Sequence, residues 1–157
     1  MDKSIIKVRS MSFKYADKYI FKDFDMDIDT NSFVCIIGRN ASGKSTLVKI
    51  LGGLCKASGY INVDGYLLND TYIKKIRRSL AICFDDADRH FIGDTVFDDL
   101  AFSLENLGYF PKEIENMVNN IAKKFKIDDI LDMSAEKIND SEKEKVMIAS
   151  SLIFNPK

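Results

Sequence analysis

Residues 38–46 read Gly-Arg-Asn-Ala-Ser-Gly-Lys-Ser-Thr, a GxxxxGK[ST] pattern that follows the apolar run Val34-Cys35-Ile36-Ile37 and precedes Leu47-Val48-Lys49-Ile50-Leu51. Nothing else in the chain restricts its fold so tightly. A strand, a glycine-bearing loop and a helix have to follow one another within about twenty residues. The apolar run has no alternation, so it predicts a strand over Phe33–Ile37 buried on both faces, as in a parallel sheet covered by helices. Lys44–Leu51 predicts the helix.

The chemistry of such a loop is anion binding. A helix N-terminus carries unpaired N–H groups and a partial positive charge, and glycines let the backbone curl around phosphate oxygens. Residues Gly38, Arg39, Asn40, Ala41, Ser42, Gly43, Lys44, Ser45 and Thr46 are therefore the candidate nucleotide-phosphate contacts. Lys44 can reach the β- and γ-phosphates, and the Ser45 hydroxyl can ligate Mg²⁺. Ala41 is the awkward member. In the left-handed region a residue with a Cβ costs about 1–2 kcal/mol.

At 157 residues with 46% apolar content the chain can build a core, and a net charge of −1 gives no footprint for sequence-independent nucleic-acid binding. Cys35, Cys55 and Cys83 lie in apolar segments without CxxC spacing and are expected as small core residues in a reducing compartment. The sole histidine, His90, lacks a Cys/His cluster, which argues against zinc. No apolar run approaches the ~18 residues needed to span a bilayer. A soluble chain is expected, and any membrane part has to come from a partner.

Alternation predicts antiparallel strands over Ile5–Phe13 and Phe24–Ile28, with Tyr15–Lys22 as a polar connection. Gly59–Val63 and Tyr66–Leu68 read as a hairpin turning at Asp64-Gly65. A short helix over Ile73–Arg78, an apolar strand over Leu80–Phe84 and an acidic loop (DDADRH) follow. Thr95–Leu107 reads as a helix with Val96, Leu100, Phe102 and Leu104 at mostly helical spacing, ending at Gly108. Pro111 opens a helix to about Phe125. A last helix is expected from Asp140-Ser141 to Phe154, stopped by Asn155-Pro156.

Around the phosphate loop the chain resembles the ABC ATPase family, most closely the ATP-binding subunits of energy-coupling factor transporters. The stretches that carry the likeness are SFKY, GRNASGKST, GYINVDG and FIGDTVFDDLAFSLENLG. The resemblance implies an α/β P-loop NTPase core with an antiparallel β subdomain (about 1–84 with the loop) and a helical subdomain with signature region (about 85–157). It implies ATP and Mg²⁺ as cofactors and a homo- or heterodimer with another ATP-binding subunit. A transmembrane transporter subunit is the implied partner, at the cytoplasmic face, with a vitamin or metal ion as cargo. Tyr15 would stack on adenine, and Phe91–Leu107 would form part of the partner's groove.

Three departures from the family pattern bear on mechanism. Asp85 stands where the family has a Gln that touches Mg²⁺ and the attacking water. A carboxylate can ligate Mg²⁺, but it repels the γ-phosphate by about 4 kcal/mol at ~4 Å and an effective dielectric of 20. Ile138-Asn139-Asp140-Ser141-Glu142 replaces LSGGQ, and Asp140 or Ser141 is expected to cap the helix with its own side chain. The sequence stops at Asn155-Pro156-Lys157, ahead of the family's Asp-Glu strand, so the C-terminal part of the core is expected to be missing and no catalytic residue is assigned. An ATP-hydrolysing transport subunit is the leading reading. A non-catalytic remnant or degenerate partner subunit is the alternative, and a small kinase is disfavoured by the hairpin ahead of the loop and by Tyr15.

Overall fold

A computed structural model describes residues 4–83 and 91–157. The chain divides into two compact units, residues 1–80 and 81–157. The acidic loop, with Asp85 and His90, lies outside the described residues.

The first unit is built on two long strands, β1 (Ser4–Tyr15) and β2 (Lys18–Asp29), paired antiparallel. Both run further than alternation predicted. The stretch expected as a polar connection is mostly strand, because Tyr15 pairs with Lys18 and only Ala16 and Asp17 turn the chain. A turn that tight lets cross-strand pairing continue to the hairpin end. The strands bulge: Ser10 has φ 46° and Asp23 φ 49°, and their freed amides donate to Asp25 Oδ1 at 2.6 Å and Ser12 Oγ at 3.0 Å. On the exposed face Arg9 holds Asp27 at 2.7 Å, and that hydrogen bond keeps the Asp27 carboxyl below its ordinary pKa.

The hairpin expected further along is present as β3 (Ser58–Val63) and β4 (Tyr66–Leu67), giving the sheet order β2-β1-β3-β4. Asp64 (φ 53°) and Gly65 (φ 81°) form its two-residue turn, with both central residues at positive φ as a type I′ turn requires. Two helices, α1 (Lys44–Leu51) and α2 (Ile73–Ser79), cover one face. Leu47, Ile50, Leu51 and Ile76 pack with Val8, Met11, Ile61 and Val63 in one core.

Two expected strands do not form. Residues 33–37 join no ladder among the described residues, and Phe33 is 98% and Ile37 88% exposed. Leu80 ends α2 and residues 81–83 are irregular, while Phe84 lies outside the described residues. A strand exists only in a pair, and the described sheet has no member beside either segment. The same absence corrects the cysteines: Cys35 and Cys83 are exposed and Cys55 is half-buried, because the apolar runs that hold the first two are not covered.

The second unit is helical: α3 (Val96–Leu107), α4 (Pro111–Phe125), two short 3₁₀ turns at Asp128–Ile130 and Ala135–Lys137, and α5 (Asp140–Leu152). Its core takes Val96, Leu100 and Leu104 from α3, and Ile114, Val118 and Ala122 from α4, each set spaced by four. Phe102, assigned above to the same stripe, is instead 44% exposed, since an offset of two from Leu100 points across the helix. Thr95 and Asp98 close the start of α3 reciprocally, at 3.2 and 3.1 Å. Among the described residues no helix is long and apolar enough to cross a membrane.

Candidate phosphate-binding loop

The N-terminus of α1 differs from those of α3 and α5. Its cap residue, Gly43, has no side chain to lay over the helix end, and its first turn holds no acidic residue. The amides that open α1 therefore have neither a helical acceptor nor a side-chain cap. With the helix dipole behind them they form a cradle for an anion.

Packing explains the glycine at the cap. Gly43 has φ 101°, and a Cβ there would stand 2.8 Å from Ile20 Cγ2 and 2.9 Å from Phe21 Cζ. Those two β2 side chains form a shelf beneath the loop. Sequence reading missed them, because Ile20 and Phe21 carry no chemistry and their only signal is that they are apolar beside a turn. The loop closes through Ser42 N to Arg39 O (3.2 Å), and α1 starts with Leu47 N to Gly43 O (2.8 Å).

Lys44 arches back over the loop and donates from Nζ to Gly38 O at 2.9 Å and to Arg39 O at 3.0 Å. Its charge thus sits on the loop itself. Arg39, Asn40, Ala41, Ser42 and Ser45 are exposed, and Thr46 is half-buried. The Ser45 hydroxyl follows directly after Lys44, open to solvent and able to offer one oxygen to a divalent cation. Gly38 to Thr46 is therefore brought together as one structure, with amides, a lysine and hydroxyls on a helix N-terminus. The donor set fits a polyphosphate.

Ala41 lies at φ 62°, in the left-handed region where alanine costs about 1–2 kcal/mol. Ala41→Gly removes that cost and adds about 0.4–1 kcal/mol of unfolded-state entropy. A net gain in stability of about 0.5–1 kcal/mol is expected from the difference. Urea unfolding of both proteins checks it, and a lower midpoint for the glycine variant would remove strain at Ala41 from the account.

Tyr15 ends β1, 48% exposed as a residue, with its ring edge-on to Phe13 at 4.8 Å and its hydroxyl 4.0 Å from Cys55 Sγ. Its strand end shares the loop's neighbourhood. Phe13 pairs with Phe21, which lies under Gly43, and Tyr15 is two residues further toward the turn. Asp85 falls outside the described residues.

At α5 the cap is Asn139, which corrects the expectation of Asp140 or Ser141. Asn139 has extended backbone (φ −79°, ψ 167°), and the residue three positions on is Glu142, which completes a reciprocal pair. Asn139 Oδ1 accepts from Glu142 N at 3.0 Å, and Glu142 Oε2 accepts from Asn139 N at 2.8 Å. This helix end is occupied by its own side chains, with Asp140 and Glu142 in its first turn. Sequence reading also missed Asp99. Buried at 7% exposure, it accepts from Ile92 N at 2.7 Å and Gly93 N at 3.0 Å and so pins the entrance to α3.

Comparison with known proteins places this geometry. A family model described as ABC transporter matches residues 21–157. Energy-coupling factor transporter ATP-binding protein EcfA1 of Mesomycoplasma hyopneumoniae (strain J) is 40% identical over 156 residues, covering 97% of this chain and 57% of that protein. The corresponding protein EcfA of Pediococcus pentosaceus is 37% identical over 157 residues, covering 98% and 56%. The chain thus spans a little over half the length of these relatives. Among solved structures, cbiO1 from Clostridium perfringens, described as part of the ABC transporter complex cbiONQ, superposes with TM-score 0.86 at 30% identity. The likeness covers 99% of this chain and 64% of that one. The matched family model, these relatives and the loop geometry agree: the chain belongs to the ABC transporter family and is similar to the ATP-binding proteins of its energy-coupling factor branch.

Proposed function

We propose that this chain holds ATP, with Mg²⁺, at residues 38–46 as the nucleotide-binding part of an importer's ATP-binding subunit. The observation that carries this reading is the uncapped N-terminus of α1, presented by Gly43 and accompanied by Lys44. Main-chain amides of the first turn bind phosphate oxygens. Among the described residues the partners of Lys44 are two loop carbonyls, which it exchanges for phosphate oxygens. The Ser45 hydroxyl supplies a ligand to Mg²⁺, and Asp85 is the second candidate ligand. Tyr15 stacks on the base, a contact worth about 1–3 kcal/mol by analogy with stacked nucleobases. Bound Mg²⁺ would neutralise charge on the phosphate tail.

The ECF-type relatives support a subunit that works with a transmembrane partner at the cytoplasmic face and pairs with another ATP-binding subunit. Vitamins and metal ions are the cargo classes proposed, and transport-coupled ATP hydrolysis is the proposed reaction class. The domain reading has a β subdomain with the loop over about 1–84 and a helical subdomain over about 85–157. The family match supports an ABC ATP-binding subunit of the energy-coupling factor type.

Titration of the chain with ATP and ADP, with and without Mg²⁺, tests the proposal. Lys44→Ala removes the loop's charge and its charge-assisted hydrogen bonds, and binding should weaken by about a hundredfold, or roughly 2.7 kcal/mol. Affinity unchanged by that substitution would end the assignment of residues 38–46 to nucleotide.

A further inference from the structure

The exposed half of α2 carries four cations, Lys74, Lys75, Arg77 and Arg78. Ile76 is fully buried and fixes which side of this short helix meets the core. At about 100° per residue, Lys74 and Arg78 then point directly away from the core, one turn apart, with Lys75 and Arg77 on the two flanks. Lys75 Nζ lies over the rings of Tyr66 and Tyr72, at 5.3 and 5.9 Å from their centroids. Arg77 donates to Gly53 O at 3.4 Å. None of the four makes a salt bridge with a described residue.

Helix stability does not account for this arrangement. Arg77 and Arg78 in the last turn suit the negative end of the dipole, but Lys74 and Lys75 stand in the first turn, where a cation is unfavourable. That turn holds no acidic residue, and Lys74 and Arg78 repel each other as like charges four apart. Asp70, the acidic residue just ahead of the helix, is held by Lys56 at 2.9 Å. We infer that this face of α2 rests on an anionic bilayer surface, with its four cations among the lipid headgroups and Tyr66 and Tyr72 at headgroup level.

Charge and shape select that occupant. The cations fan out over about half the circumference of the helix and do not converge, so they suit a surface of many anions and not one bound phosphate. Leu54 and Leu67, the chain neighbours of Gly53 and Tyr66, are exposed as well. Exposed leucines, tyrosines and long basic side chains together match the boundary between water and lipid. There the stems of lysine and arginine lie on apolar groups while their charged ends meet headgroups. Single-stranded nucleic acid would need free ring faces for its bases. Here the two rings pack on each other at 5.6 Å, and Lys75 covers both. Lipid contact of this kind is made by the chain itself and is separate from any attachment through a transmembrane partner.

Flotation of the full 157-residue chain with vesicles through a density gradient tests this, since self-associated protein sinks. Vesicles of phosphatidylcholine with phosphatidylserine as about a third of the lipid should carry the chain upward, and phosphatidylcholine alone should not. Binding should be lost at an ionic strength of about 1 M, where screening acts within ~3 Å. Each Lys or Arg near such a surface contributes about fivefold to partitioning, so Lys74→Gln with Arg78→Gln should weaken it by about twenty- to thirtyfold. Lys74→Ala with Arg78→Ala serves if the glutamine variant does not fold, since alanine is the better helix former. Lys123→Gln with Lys124→Gln removes the same charge from the last turn of α4 and should leave partitioning nearly unchanged. Equal flotation with both kinds of vesicle, or equal weakening by the α2 and α4 variants, overturns the proposal. So does displacement of the chain from the vesicles by single-stranded RNA or polyglutamate at matched charge. That result would mean a nucleic acid or an acidic protein segment occupies this face. None of these residues belongs to the loop at 38–46, so either result leaves the nucleotide reading standing.

Discussion

Gly59→Ala is expected to cost the first unit about 2–5 kcal/mol, much of the stability of a small domain. Gly59 lies in β3 at φ 102°, opposite the bulge in β1 at Ser10. A Cβ there would meet Ser10 O at 2.6 Å, Met11 Cα at 2.8 Å and Arg9 O at 2.9 Å. All three are main-chain atoms, so no side chain can swing aside. Either the β1–β3 ladder opens or Gly59 changes conformation, and both disturb the pairing that buries Met11 and Ile61. Two terms add: about 1–2 kcal/mol for a side chain at positive φ, and about 1–3 kcal/mol for overpacking. Gly65→Ala separates them. Gly65 also has positive φ, 81°, but a Cβ there has nothing within 4 Å. Only the first term applies to it. Urea denaturation followed by circular dichroism should rank Gly59→Ala well below Gly65→Ala. Equal midpoints for the two variants would show that β1 yields at the bulge.

The second large effect concerns residues 33–37. Phe33, Val34, Ile36 and Ile37 are 98%, 50%, 41% and 88% exposed, on a stretch of backbone with no ladder partner. Covering four such side chains is worth roughly 1.5–3 kcal/mol each if complete. The unpaired N–H and C=O groups are in addition a template for another strand. The 157-residue polypeptide should therefore bind a hydrophobic dye and self-associate at micromolar concentration. Phe33→Lys with Ile37→Lys should restore a monomer, since charge on an edge blocks strand addition. Light scattering after size exclusion reads the result. A wild-type chain that stays monomeric and binds no dye would show that this segment finds cover within the chain itself.

These two cases mark how far the sequence reaches. Local periodicity and turn chemistry were enough for Lys44–Leu51, for the hairpin about Asp64-Gly65, and for α4 from Pro111 to Phe125, whose ends coincide with the helix seen. Each is written in neighbouring residues: a proline at a first turn, a glycine pair-former, apolar residues four apart. The proposed phosphate loop could be read for the same reason, because its amides, Lys44 and Ser45 are adjacent in the chain. Phe33–Ile37 was misread because an apolar run reports that burial is favourable and not whether a neighbour is present. The cap of α5 was placed one or two residues late because Asp140, Ser141 and Asn139 all have capping side chains. Only the backbone angle at Asn139 and its partner Glu142 decide among them.

The sequence by itself determined that a helix begins at Lys44 behind a glycine-bearing loop, since that depends on contacts within a few residues. Tertiary structure alone decided that Ile20 and Phe21 crowd any side chain at position 43, that Gly59 faces bare backbone, and that Glu105, Glu115, Asp128 and Asp132 share one groove. Those facts depend on which distant residues meet, and chain order does not carry that information until the strands have paired and the helices have packed.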